Sequence, residues 1–215
     1  MISLLRRKRR KTRLPIAAPD GPVWSTPGAG LRVESAGRPS SFPTPIIRWV
    51  AEGRIGLRAF EFDADADAIC GFQEETYALN FPDFSYSTKF ADAFRYDLRR
   101  AWLDPNHGIF VLDDGRENLS KNRQKTGNIA GFLWVVICHN NWSGERYGYV
   151  NNVYIPPVRR GSGLSKELMK QGEEWFRSRS IKRVRLTVTE TNEAAIAVYR
   201  SCGYAVDRWE MEKTL

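Results

Sequence analysis

Cysteine and histidine are scarce in this chain of 215 residues: Cys70, Cys138 and Cys202 are the only thiols, His107 and His139 the only imidazoles. Thiols so few and so far apart exclude a disulfide framework, and the same small set cannot furnish a tetrahedral zinc site. No metal is expected, and a reducing, cytoplasmic compartment is. Long apolar runs are missing as well. None approaches the roughly 20 residues that span a bilayer, and "ISLL" is too short and wrongly placed before the charges for a secretory leader. Acid is absent from the first thirteen residues, "MISLLRRKRRKTR", which hold seven Arg or Lys. The formal charge of +8 belongs to that start, because the remainder has 26 basic against 25 acidic residues. The globular part is nearly neutral.

Proline is unevenly spent: residues 14–45 hold seven of the eleven, with only Asp20 and Glu34 for acids. Such a stretch buries too little apolar surface to offset its ordering entropy, so residues 1–50 are expected to be a disordered basic arm. A solvated tail is the favoured reading of that arm. Nucleic-acid contact, a membrane-surface tether or a transit-like segment are the sharper alternatives, and nucleic acid enters only through it. The 42% apolar content suits one buried core, assigned to a single domain over residues 54–215.

What is present there alternates between two periods. "IGLRAFEF" (55–62) reads as a strand, and "DADAICGFQEETYALNF" sets Ile69, Phe72, Thr76 and Leu79 at helical spacing. "KFADAFRYDLRRAWL" is a second helix stopped by Asp104 and Pro105. "GIFVLDD" and "IAGFLWVVICHN" read as strands separated by the polar insertion "GRENLSKNRQKTGN", and "RYGYVNNVYI" as a third. Leu164, Leu168, Met169, Trp175 and Phe176 then share a helical face. "RVRLTVT" (183–189) reads as a strand, "NEAAIAVYRSCGY" as a helix ended by Gly203, and "AVDRWEMEKTL" as a closing strand. This order predicts an α/β sandwich on a mixed sheet.

"VYIPPVRRGSGLSKELM" (153–169) carries a strand through a glycine turn into a helix. Backbone N–H groups at such a helix start attract phosphate, and Gly161 and Gly163 remove the Cβ atoms that would hold it away. Arg159 and Arg160 add charge at the rim. A plain strand-to-helix turn explains the stretch equally well when it is taken alone. A dinucleotide fingerprint fails because Lys166 stands where a third glycine is needed, and a P-loop fails because its Gly-Lys-Ser/Thr run is absent.

Together with "LTVTETNEAAIAVYRSCGY", the stretch resembles the acetyl-coenzyme A signature of the GNAT N-acetyltransferase superfamily. The loop half falls on Arg160, Gly163 and Ser165, the second half on Asn192, Ala195, Tyr199, Gly203 and Tyr204. The resemblance covers residues 148–206 and extends by element order to residue 54. It implies a mixed, mostly antiparallel sheet flanked by helices, and acetyl-CoA as cosubstrate. The pantetheine arm would lie along Val153, Tyr154 and Ile155. The pyrophosphate would sit on the amides of Arg160, Gly161, Ser162, Gly163, Leu164 and Ser165. Ser165 departs from the family's Gly or Ala, but keeps a small side chain and its amide. Tyr199 matches the position that assists the departing thiolate. With a phenol near ~10 and a thiol near ~8.5, full proton transfer is uphill by about 2 kcal/mol. Asn192 would cap its helix or touch the cofactor.

The family often carries a carboxylate on the strand before the loop, where this chain has Asn151 and Asn152, which take no proton at neutral pH. Glu145, Glu190 and His139 are base candidates by proximity in sequence, and Glu74, Glu75 and Asp83 could attract a cationic amine. Solvated surface explains each as well. Weak basic machinery suits an α-amine, roughly one-seventh neutral at pH 7, better than a lysine. The resulting expectation is acetyl transfer from acetyl-CoA to a primary amine of a small molecule or protein, by direct attack in a ternary complex, in a monomer or homodimer. The alternatives are a non-catalytic acyl-CoA sensor or scaffold, and a nucleic-acid-associated protein using the tail.

Overall fold

The structure, a computed structural model, describes residues 48–50, 55–80, 85–119, 125–209, 211 and 213. Six strands form one sheet in chain order: β1 (Arg48–Val50), β2 (Ile55–Ala59), β3 (His107–Leu119), β4 (Lys125–His139), β5 (Arg146–Tyr154) and β6 (Val184–Arg185). All neighbours run antiparallel except β5 and β6, which are parallel. The helices are α1 (Phe62–Asn80), α2 (Thr88–Leu103), α3 (Leu164–Ser178) and α4 (Glu193–Ser201). The mixed, mostly antiparallel sheet expected from the sequence is therefore found.

Local chemistry explains the boundaries. Ser87 caps α2 by accepting from the Phe90 N–H at 3.2 Å, and the helix stops at Asp104, ahead of Pro105. Asp65, fully buried in α1, accepts from the Glu61 N–H at 2.8 Å and from Arg58 at 2.7 and 2.8 Å. Arg58 also reaches Asp113 at 2.9 Å, so one guanidinium ties β2, β3 and α1 together.

β4 shows why its sequence is apolar without alternation. Phe132 and Trp134 join the core under α1 and α2, while Leu133 and Val135 join the core under α3. A period of two puts neighbours on opposite faces, and both faces are covered. Phe132, Leu133 and Val135 are completely buried.

Four expectations are corrected. The polar insertion still lies between two strands but is itself largely strand, because β3 and β4 run into it and pair at Glu117–Gly127, Asn118–Thr126 and Leu119–Lys125. A backbone ladder requires no apolar side chains, so polarity alone misled the reading. β1 falls inside the stretch assigned to the arm, whose residues 1–47 lie outside the described ones. "RVRLTVT" contributes only Val184 and Arg185 to the sheet, since it turns away from β5 after Arg185. Residues 205–209 of the expected closing strand form no ladder: Val206 and Trp209 are exposed, and no described strand lies beside them.

Candidate active site

The divergence of β5 and β6 builds the site. The two strands pair only at Gly148–Val184 and Tyr149–Arg185. Beyond Tyr149, β5 continues to Tyr154 with a described neighbour on its β4 side alone. The register jumps from Val135–Val150 to Trp134–Asn152, leaving Asn151 as a bulge just past the closed end. The result is a wedge with its vertex at Tyr149 and one strand edge open from the bulge to the loop.

At the vertex, Gly148 admits the ring of Phe176 from α3: a Cβ there would lie 2.6 to 2.7 Å from three of its ring atoms. Gly148 and Val150 therefore face α3, and Tyr149 faces the other side of the sheet. Its hydroxyl donates to Thr187 Oγ1 at 3.1 Å. Tyr199 comes from α4 and packs with the α3-side core against Tyr204. Burial, and then the nearby Tyr149 and Cys202, push the Tyr199 phenol up to about 12. Its hydroxyl has no hydrogen-bond partner among the described residues, so the proton it keeps is free to be donated.

At the other end a 3-10 turn over Pro157–Arg159 leads into the glycines and α3. Gly161 and Gly163 sit at φ 78° and 80°, where other residues are strained, and a Cβ on either would meet nothing within 4 Å. The amides of Gly161, Ser162, Gly163, Leu164 and Ser165 have no partner among the described residues, whereas that of Arg160, expected to join the cradle, is already taken by the Pro157 carbonyl at 3.2 Å in closing the turn. They open a 15-residue helix whose dipole adds positive potential at that point. This cradle fits a pyrophosphate.

The two loop arginines divide the work. Arg159 donates to the nearly buried carboxylate of Asp114 at 2.6 Å and so clamps the turn onto β3. Arg160 donates through Nε to the Ile155 carbonyl at 3.0 Å and through Nη2 to Glu75 at 2.7 Å. Glu75, on α1, also accepts from the Tyr154 hydroxyl. Burial, and then Glu75, raise that phenol to about 12. Beside it, Asn152 donates to the fully buried Gln73 at 3.2 Å, and Phe72 stacks on Tyr154 with centroids 4.6 Å apart.

The structure thus brings Val153, Tyr154, Ile155 and the loop residues 160–165 to one continuous edge, with Tyr199 across the vertex. Asn192 uses its side-chain oxygen to cap α4, accepting from the Ala195 N–H at 3.2 Å, which is the capping role foreseen. Of the base candidates, Glu145 lies at the β4–β5 hairpin and meets Arg183 at 3.5 Å; His139 ends β4, and Glu190 is exposed in a turn. The second histidine, His107, is buried, accepts from Trp134 Nε1 at 2.9 Å and is pulled down to about 4 by burial. Glu75 is held by Arg160 and Tyr154 rather than spread on a solvated face, and Asp83 lies outside the described residues. Sequence reasoning missed the Glu75, Asp114 and Thr187 partnerships, which join elements distant in the chain.

Parted strands, a bulge, a glycine cradle and a phenol thus lie along one end of the sheet. The sequence pattern of the acetyltransferase (GNAT) family matches residues 73–204, and the chain belongs to that family. It is 29% identical over 168 residues to the mycothiol acetyltransferase of Amycolatopsis mediterranei, across 77% of this chain and 50% of that one. It is 31% identical over 173 residues to that of Salinispora arenicola, across 80% and 50%. The chain spans about half the length of the curated relatives it matches. Its fold superposes on an acetyltransferase from Clostridium acetobutylicum solved with acetyl-CoA, at 13% identity and TM-score 0.56 over 74% of this chain and 96% of that one. It also superposes on an aminoglycoside 6'-N-acetyltransferase from Acinetobacter baumannii, at 12% identity and TM-score 0.52 over 75% and 98%.

Proposed function

We propose that the chain transfers an acetyl group from acetyl-CoA to an amine by direct attack in a ternary complex. The observation that carries this reading is the continuity of the open β5 edge with the run of unpartnered amides at residues 161–165, with the Tyr199 hydroxyl unpartnered at the vertex. The β5 edge and the amides would hold pantetheine and pyrophosphate, while acetyl-CoA supplies the activated acetyl group. The names of the relatives and of the second structural neighbour support a small-molecule amine acceptor.

Tyr199 serves the leaving thiolate as a hydrogen-bond donor. With the phenol near 12 and a thiol near ~8.5, complete proton transfer is uphill by about 5 kcal/mol, so donation without transfer is the favoured mode. The raised value also keeps the donor protonated past the ordinary ~10 of a phenol.

The test is release of coenzyme A across a panel of a peptide α-amine, an aminoglycoside and a polyamine, with acetyl-CoA binding followed by calorimetry. Tyr199→Phe lowers turnover by about ten-fold or more and leaves cofactor affinity nearly intact. Turnover measured with a fully neutral amine stays level through pH ~10. Tight binding without thiol release for any acceptor favours the non-catalytic sensor instead.

A further inference from the structure

We infer that Tyr149 and Thr187 form a hydroxyl relay that carries the acceptor's proton from the vertex of the wedge to solvent, in the place where β5 offers no carboxylate. The inference rests on the acetyl-transfer reading and deepens it by assigning the proton's route. Three features of the structure point to it.

The first is position. Tyr149 is the last β5 residue paired to β6, so its side chain stands where the two strands part. Because Gly148 and Val150 turn toward α3, Tyr149 projects from the face opposite to the one Tyr199 packs on. The two phenols nonetheless sense each other, Tyr149 being one cause of the raised Tyr199 value. A reacting centre at the vertex thus has a donor for the leaving sulfur on one side and Tyr149 on the other.

The second is the hydrogen bond itself. The Tyr149 and Thr187 hydroxyls lie 3.1 Å apart, so Tyr149 can donate to Thr187 Oγ1 while its own oxygen keeps lone pairs to accept from an attacking amine. Thr187 is exposed, so its own hydroxyl proton is one step from water. The third is charge. Arg185 is the register partner of Tyr149 and lies over the Tyr147 ring at 4.4 Å. A fixed guanidinium beside the vertex disfavours an ammonium there and favours loss of its proton. Of the titratable groups near Tyr149, Tyr147 and Tyr199, with Cys138 beside Tyr147 and Cys202 behind Tyr199, are all pushed up by burial, so they stay neutral.

The step balances as follows. The amine nitrogen bonds to the acetyl carbon, and the C–S bonding pair leaves with sulfur, held by the Tyr199 hydroxyl. The N–H proton passes to Tyr149 Oη as the phenol's own proton passes to Thr187 Oγ1, and the threonine proton passes to water. Both hydroxyls end neutral and reprotonated.

The experiment uses the full chain with the best acceptor from the panel, at pH 6.5 to 9.5. Tyr149→Phe is expected to lower turnover about ten-fold or more near neutrality with cofactor affinity unchanged, the size usual for a proton-transfer contribution. The deficit shrinks as pH rises, because solvent base then takes the proton directly, and a small amine buffer at high concentration restores part of it. Thr187→Val has a smaller deficit of the same kind, and the double variant is no worse than Tyr149→Phe, since the two act as one unit. A deficit independent of pH and buffer, or unchanged turnover, overturns the relay alone. No thiol release from the wild-type chain with any acceptor overturns the transfer reading and the relay with it.

Discussion

The two ends of β5 are held by different physics. At Gly148 and Tyr149 the strand is paired on both edges and its glycine is filled by the Phe176 ring. Toward Tyr154 only the β4 edge is paired among the described residues, and the position is fixed by side chains: Asn152 on Gln73, Tyr154 and Arg160 on Glu75, and Arg159 on Asp114. Close packing has no slack, and the Asp114 and Gln73 ties are shielded, whereas the Arg160–Glu75 pair near solvent rearranges cheaply. The closed end sets the vertex; the open end can adapt to a charged ligand.

The hardest way to break this contrast is at the closed end. Gly148→Ala puts a Cβ against three Phe176 ring atoms, and Phe176 is itself only 1% exposed. Overpacking of this kind costs about 1–3 kcal/mol and lowers the melting temperature by roughly 2–10 °C for a domain of this size. Thermal or denaturant unfolding reads the loss. Adding Phe176→Leu recovers part of it, because the two changes meet at one contact.

Gly163→Ala at the loop inverts that result. Its Cβ would meet nothing within 4 Å, so the cost comes from the backbone at φ 80°, about 1 kcal/mol. Stability falls by no more than the low end of the Gly148→Ala loss, while the tilted amides lose alignment with the pyrophosphate. Calorimetry should show acetyl-CoA affinity falling about ten-fold, the order of one or two charge-assisted hydrogen bonds. Equal affinity would separate these amides from cofactor binding.

These two glycines also show what was legible in the chain. Gly163 could be read early because a glycine turn at a helix start is a local matter, carried by "RRGSGL" itself. Gly148 could not, because its reason is a ring some thirty residues later, brought over by α3. The same holds for Glu75: its helix is evident from periodicity, but its meeting with Arg160 depends on how α1 lies across β5. Asn151 and Asn152 drew attention as missing carboxylates, and the fold gives each a different part. Asn151 is the bulge and Asn152 a tie to α1, while the side chain at the vertex is Tyr149. The closing strand was misread because alternation reports a strand's habit and says nothing of whether a partner edge is there.

The mildest change sharpens the comparison at the open end. The Arg160–Glu75 pair is 46% and 38% exposed, so Glu75→Gln should alter stability by less than ~1 kcal/mol. Its effect on the cofactor has the opposite sign to most site substitutions. Glu75 holds Arg160 and places a negative charge beside the cradle, and a pyrophosphate must compete with the first and approach the second. The amide keeps an acceptor for Arg160 and Tyr154 without the charge, so acetyl-CoA should bind about two- to five-fold more tightly at low salt. At high salt the gain should vanish, because the interaction is close to solvent and screened. Weaker binding at every ionic strength would instead mean that Glu75 orients Arg160 for the phosphates, and that the open end is as rigidly prepared as the closed one.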